Sequence, residues 1–516
     1  MNRRSKSILR RVITAVAGLA TASVALSGCL YAQISEKPTS TIREPNTSGV
    51  PDELMSYYTQ EVNWDSCGTR FDCADITAPR DWQNPDDGDL TLALVRHQAT
   101  GEYHGSLLVN PGGPGGSGYN FIADSLNYAV GDKLIENFDV IGFDPRGVGK
   151  SSAVQCLDPE AMDEYNYGLV EEERGSDAWM DALTEKNRDF ADACEANSDG
   201  LLQYITTENS ARDMDLIRGV LGDEHLNYLG FSYGTFLGAT YAKLFPERAQ
   251  RLVLDGALDP SVPSLSVGTT QAVGFERALR AYMEDCLTSS NCPFTGTVDQ
   301  ALTDFRALLA SIQRNPMQNG DGRMLGVDTA VTGVITALYS EQSWTYLTQA
   351  LTGLLQGDTS VAFLLADSYN ARNPDGTYAD NSAEAFRAYN CMDYPVENDP
   401  AAEDAAMAQI EKDAPTFAPY WDGPDSCEVW PYPPVGTRDQ ITATGSGPIL
   451  VVGTTNDPAT PYEWSEALAD QLENGVLITR VGEGHTGYNK GNSCVNDAVE
   501  GFLIDGTVPE DGLRCE

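Results

Sequence analysis

An α/β architecture, with a mostly parallel sheet flanked by helices and interrupted by a large, mainly helical insertion, is the fold class this 516-residue sequence predicts. Three observations carry it. Short apolar runs recur between turn residues: Leu90 to His97, Ser106 to Asn110, Phe138 to Phe143, Leu226 to Leu229, Arg251 to Leu254, Pro448 to Val452 and Val476 to Val481. Runs of this length, bounded by Gly, Pro and Asp, read as buried strands. The segment Asn209 to Gly256 then follows a strand–turn–helix–strand order, the unit from which parallel sheets are built. Finally, the strand rhythm stops between about Pro260 and Asp439, in a helix-like, aromatic-dotted stretch, and resumes after it.

In the central unit, Met214, Ile217, Val220 and Leu221 fall at helical spacing within Ser210 to Leu221. A strand follows at Leu226 to Leu229, then a tight turn through Gly230-Phe231-Ser232-Tyr233-Gly234, then a helix from Thr235 that Pro246 stops. The chain therefore divides into core segments at 52–260 and 441–516 and a cap at 261–440, with a smaller excursion between Ser151 and about Thr206. Residues 29–51 are polar, without apolar periodicity, and read as a tether. Residues 1–28 read as a lipoprotein signal peptide. Arg3, Arg4, Lys6, Arg10 and Arg11 precede an apolar stretch too short to span a bilayer comfortably, and Leu26-Ser27-Gly28-Cys29 resembles the bacterial lipobox. Cleavage before Cys29 would leave a thiol for lipidation, which predicts an extracytoplasmic protein anchored to the cell membrane at Cys29.

Composition narrows the function. With 33 Lys plus Arg against 76 Asp plus Glu, the net charge of −43 repels phosphate backbones and argues against nucleic-acid binding. Four histidines, and no two cysteines separated by only two residues, suit no tetrahedral metal site, so neither metal nor cofactor is expected. Apart from Cys29, ten of the 11 cysteines remain, and they fall into neighbours: Cys67/Cys73, Cys156/Cys194, Cys286/Cys292, Cys391/Cys427 and Cys494/Cys515. Five local disulfides, formed in an oxidising compartment, are expected.

The turn at Ser232 carries the chemistry. A G-x-S-x-G between a strand and a helix places serine on a sharp turn with its Oγ projecting from the sheet edge. A serine nucleophile needs a base, and the base needs an orienting carboxylate. His97 lies in a strand, His104 in a turn-like segment and His225 in the loop leading into the nucleophile strand, so these three read as structural. His485, in the Gly-rich loop after the last strand, is the expected base. Asp457, after the strand ending near Val452, is the expected orienting acid, with Glu483 the rival. Ser232, Asp457, His485 is the chain order of α/β-hydrolases. Two backbone N–H groups should hold the oxyanion: Tyr233, and one from Asn110-Pro111-Gly112-Gly113-Pro114-Gly115-Gly116-Ser117-Gly118. Gly113 is the expected second donor, with Gly112 as alternative. This loop lacks the Lys-Ser/Thr of a phosphate-binding P-loop.

With these motifs the sequence resembles the tripeptidyl aminopeptidase family of exported actinobacterial serine peptidases, relatives of proline iminopeptidase. The resemblance rests on Asn110 through Gly115, Asp144-Pro145-Arg146-Gly147, Gly230 through Thr235, Asp457-Pro458-Ala459-Thr460-Pro461, Trp64 through Cys67, Ala74 through Pro85, and Asn390-Cys391-Met392-Asp393. It spans about Val62 to Cys515 and is weakest inside the cap. It implies an exopeptidase that releases short peptides, tripeptides in particular, from free N-termini of peptide substrates through an acyl-enzyme, with Asp144 and Arg146 structural. Asp393 is the expected partner for the substrate's free ammonium group, because an exopeptidase must count residues from the chain end; Glu384 and Glu397 are neighbouring alternatives. Two other readings stand beside it. The same triad serves an esterase or lipase-like hydrolase, and a surface-anchored binding protein could retain the fold without turnover.

Overall fold

The apolar runs pair into one sheet. The computed structural model describes residues 43–397 and 399–516. Its main sheet contains β1 (Asp65–Ser66), β2 (Asp72–Pro79), β3 (Asp89–His97), β4 (Ser106–Asn110), β5 (Asp139–Phe143), β6 (Leu226–Phe231), β7 (Ala249–Asp255), β8 (Ile449–Asn456), β9 (Gly475–Glu483) and β10 (Leu513–Cys515). Their order in space is β1-β2-β3-β5-β4-β6-β7-β8-β9-β10. The first three pairings are antiparallel and all those from β5 onward are parallel. Every residue of β4 and β6 is buried, which is why these strands read as continuous apolar runs and not as alternation.

Successive side chains of the central strands feed two cores, as a period of two requires. Leu108, Tyr228, Leu252 and Leu254 face one, packed with α3 (Thr207–Val220) and α4 (Tyr233–Leu244). Leu107, Val109, Leu229 and Val253 face the other, with α1 (Gly118–Ala129) and α8 (Ser493–Asp505). The sheet therefore carries helices on both faces, the arrangement of the α/β-hydrolase fold. One expectation needed extension. β2 was not read as a strand, because near the edge of the sheet it buries only one side: Ala74, Ile76 and Ala78 turn inward while Asp75 and Thr77 are exposed.

The insertion builds a third core. Phe275, Leu279, Phe305, Leu309, Val334, Leu351 and Phe363 pack together, supplied by helices that include α5 (Ser264–Cys286) and α6 (Val327–Leu338). Among its described residues the strands are the two-residue pair Met317–Gln318 and Met324–Leu325. Later in the insertion, α7 (Ser382–Asp393) packs into the sheet's own core through Ala385, Ala388, Tyr389 and Met392. In the smaller excursion, α2 (Asp177–Asn197) sends Phe190 and Cys194 into the same core. The five neighbouring cysteine pairs all form disulfides in the expected connectivity. Residues 1–28, Cys29 and the tether up to residue 42 lie outside the described residues.

Candidate active site

Ser232 stands at the carboxyl end of β6 and at the N-terminus of α4, with φ 56° and ψ −123°. A non-glycine residue in that region costs about 1–3 kcal/mol and persists only where its surroundings impose it. Here Ser232 N donates to Asp255 O at 2.9 Å, and Thr235 N and Oγ1 both donate to Ser232 O, at 2.8 and 2.6 Å. The approach of the Gly-rich loop is closest at Gly112. A Cβ there would lie 2.5 Å from Phe231 O, 2.8 Å from Ser232 Cβ and 3.2 Å from Tyr233 N, and its φ of +99° is itself unfavourable for any residue with a side chain. Gly112 N donates to Asn110 Oδ1 at 3.0 Å, so this amide is engaged within the loop. Tyr233 opens α4, where a backbone N–H has no carbonyl one turn back to meet.

The loop is held from behind. Ser117 caps α1, and its Oγ donates to Asp144 Oδ1 at 2.6 Å. Asp144 is fully buried and also accepts from Tyr119 N and Lys150 N. Arg146 pairs with Asp213 at 2.6 Å, both side chains fully buried, and donates to the carbonyls of Pro79 and Arg80. Both residues are thus part of the scaffold, the role the resemblance implied for them.

His485 lies in the loop after β9, and its Nδ1 is 2.9 and 2.8 Å from the two oxygens of Asp457. This pairing selects the tautomer with the proton on Nδ1 and leaves Nε2 as the other reactive nitrogen. Asp457 is 2% exposed and is itself fixed, accepting from Ala459 N, Thr460 N, Thr460 Oγ1 and Thr486 N. The rival acid, Glu483, is bonded to Asn456 Nδ2 instead, and burial raises its pKa above the usual carboxylate range. His97 lies in β3, with burial lowering its pKa; His104 is exposed and His225 precedes β6.

Asp255, the last residue of β7, joins the two catalytic candidates. Its carbonyl holds Ser232 N, while its carboxylate accepts from Gly487 N and Tyr488 N, both at 2.8 Å, just beyond His485. It is fully buried, and this burial pushes its pKa up to about 6 against the opposing effect of those two amides. The insertion reaches the same loops. His485 N donates to Tyr339 O at 2.8 Å, the Tyr339 ring meets the imidazole edge-on at 5.4 Å, and Gln271 Nε2 donates to Ala459 O.

Residues 414–515, the part that holds both Asp457 and His485, match the family model described as TAP-like protein. Serine protease Hip1 of Mycobacterium tuberculosis is 36% identical over 463 residues, covering 86% of this chain and 87% of the relative. Carboxylesterase B of the same organism is 40% identical over 451 residues, covering 86% of each. Tripeptidyl aminopeptidase of Streptomyces lividans is 30% identical over 470 residues, covering 88% of this chain and 86% of the relative. The chain belongs to the tripeptidyl aminopeptidase family of α/β-hydrolases. It is a serine hydrolase.

Within this family member, the three acids offered for substrate recognition are placed differently. Asp393 ends α7 in the interior, 5% exposed, with its carboxylate accepting from Thr207 N and Thr207 Oγ1 at the start of α3. The same hydroxyl meets Tyr233 OH at 2.5 Å, so Asp393 supports the residue after the nucleophile; burial pushes its pKa up to about 6. Glu384 is also buried, accepting from Cys156 N and Leu157 N. Of the three, Glu397 is the one that is only half-buried. Its pKa is raised by desolvation and then by the neighbouring Asp425.

Sequence reasoning missed Asp255, Tyr339, Thr460 and Thr207. Asp255 had a signal, a carboxylate closing the apolar run Leu252-Val253-Leu254. Thr460 lies within Asp457-Pro458-Ala459-Thr460-Pro461, and its hydroxyl is 3.2 Å from His485 Nδ1. Tyr339 and Thr207 had none.

Proposed function

We propose that this protein is an exported serine exopeptidase that releases short peptides, tripeptides in particular, from free N-termini. The double contact of His485 Nδ1 with Asp457, beside a strained Ser232 elbow tied through Asp255 to the same base loop, supports the serine-hydrolase chemistry of this reading, and the likeness to tripeptidyl aminopeptidase of Streptomyces lividans supports its exopeptidase part. In the reaction, His485 Nε2 takes the Ser232 proton as Oγ attacks the scissile carbonyl. Tyr233 N–H and Gly113 N–H receive the oxyanion, each such donor being worth roughly 10²–10³ in rate. Engagement of the Gly112 amide by Asn110 favours Gly113 as the second donor. His485 then protonates the leaving amine, and the same base activates the water that releases the acyl peptide. Asp457 stabilises the imidazolium. No cofactor is needed.

An exopeptidase must recognise the substrate's ammonium group, and leaving that group desolvated and unpaired would cost several kcal/mol. The counter-charge must be one that substrate can reach, a condition that favours Glu397 over Asp393 and Glu384. Export and membrane attachment rest on the Leu26-Ser27-Gly28-Cys29 motif; a fatty-acid analogue should label the wild type and not Cys29→Ala. The deciding experiment compares a tripeptide chromogenic substrate with its N-acetylated twin. Acetylation should cost tenfold or more, and Glu397→Gln should erase most of that preference. Equal rates on the two substrates would contradict the exopeptidase reading. The carboxylesterase B relatives favour the second reading, an esterase using the same three residues; it would hydrolyse short acyl esters and leave free peptides uncut.

A further inference from the structure

A cleft of about 220 Å³ opens beside His485, and the reaction described above leaves it without an occupant. One wall is aromatic from the nucleophile to the surface. Phe231, immediately before Ser232, is 7% exposed; Phe121 packs edge-on against it at 6.1 Å and against Tyr128 at 6.3 Å. Tyr128 is 58% exposed, and the Lys490 ammonium lies 3.5 Å from its ring centroid at the mouth. Tyr339 of the insertion also lines the cleft, its ring edge-on to His485 at 5.4 Å.

The chemistry decides which half of a substrate belongs here. The tetrahedral carbon carries Ser232 Oγ, the oxyanion, the acyl chain and the leaving nitrogen. The oxyanion is directed to Tyr233 and Gly113, and the leaving nitrogen must lie where His485 can protonate it. The recess that His485 itself lines is therefore on the leaving-group side. We propose that this cleft is the subsite for the residue just after the scissile bond, that it favours a bulky aromatic or apolar side chain there, and that the remaining chain leaves across Tyr128 and Lys490. This rests on the serine exopeptidase reading above and extends it to the substrate's leaving half.

The reverse of acylation gives a test that reads this half alone. An amine bound in the cleft attacks the acyl-enzyme: its nitrogen forms the C–N bond, the C–Oγ bond breaks, and the amine proton passes through His485 back to Ser232 Oγ. A tripeptide ester serves as acyl donor, with phenylalaninamide or glycinamide competing against water, and products are counted by mass. Phenylalaninamide should capture the acyl group at least tenfold better than glycinamide. Phe121→Ala and the surface variant Tyr128→Ala should each bring that ratio down several-fold. The ratio is internal to each enzyme, so a general loss of activity does not move it. Equal capture of both amines by an active wild type, or a ratio untouched in Tyr128→Ala, would overturn the subsite. Failure of the wild type to turn over any acyl donor would overturn the catalytic reading, and the subsite with it.

Discussion

Replacing Asp255 by Asn separates a positioning role from a stabilising one. The carboxylate gives one oxygen to Gly487 N and the other to Tyr488 N, each at 2.8 Å. Asn offers one acceptor and turns an NH₂ toward the other amide, a buried donor facing a donor, at a cost of about 1–3 kcal/mol. Against this, the wild-type charge is held in a fully buried site. A pKa raised from 3.8 to about 6 corresponds to roughly 3 kcal/mol of penalty once the group is ionised. The two effects nearly cancel at pH 8, so Asp255→Asn should melt close to wild type there. Asp255's folded pKa lies above its unfolded value, so the stability linked to its proton is fully present below about pH 3.8 and is lost as pH rises through about 6. The variant lacks that loss, and its stability relative to wild type should therefore increase from pH 4 to pH 8. Catalysis should not share the cancellation, because the two amides sit two and three residues after His485. Displacing the base by an ångström is expected to lower kcat on the order of 10²-fold. Thermal melts at both pH values, with kcat at pH 8, test this. Parallel melting curves together with an unchanged kcat would refute both the titration and the positioning role.

Asp457→Asn keeps the side chain's shape but presents an N–H to His485 Nδ1, selecting the wrong tautomer, so kcat should fall about 10⁴-fold in steady-state kinetics. Its NH₂ must also face a buried backbone donor, Thr486 N on one side or Ala459 N and Thr460 N on the other, so calorimetry should show a lower melting temperature, by about 1–3 kcal/mol of stability. Gly112→Ala places a methyl 2.5 Å from Phe231 O and 2.8 Å from Ser232 Cβ, so it should lower kcat by 10²-fold or more while changing KM little, since the displaced loop serves the oxyanion and not the ground state. A kcat near wild type in Gly112→Ala would mean that the loop does not bear on the nucleophile.

How much of this was legible depended on range. Strands β4 and β6 were readable because both faces are buried; β2 was not, because its one-sided burial spreads Asp and Thr among its apolar residues. The chain order of Ser232, Asp457 and His485 and the loop placement of each could be read locally, and His485 and Asp457 do meet. What joins distant segments could not be read. Thr207 and Asp393 are 186 positions apart, and nothing near either indicates that the carboxylate would turn to a helix start and not to open solvent. Asp255 and Tyr488 are separated by 233 positions. The contact between Tyr339 and His485 depends on how the insertion folds back over the sheet, which periodicity does not encode.

The most direct test of the central claim is to trap the acyl-enzyme. Wild-type protein quenched in acid during turnover of a tripeptide ester, then digested and sequenced by mass spectrometry, should carry the mass of the tripeptide acyl group on Ser232. His485→Ala and Asp457→Asn should accumulate that adduct far more slowly, and Ser232→Ala should carry none and turn nothing over. An adduct on another side chain, or a Ser232→Ala variant that still cleaves substrate, would contradict the account.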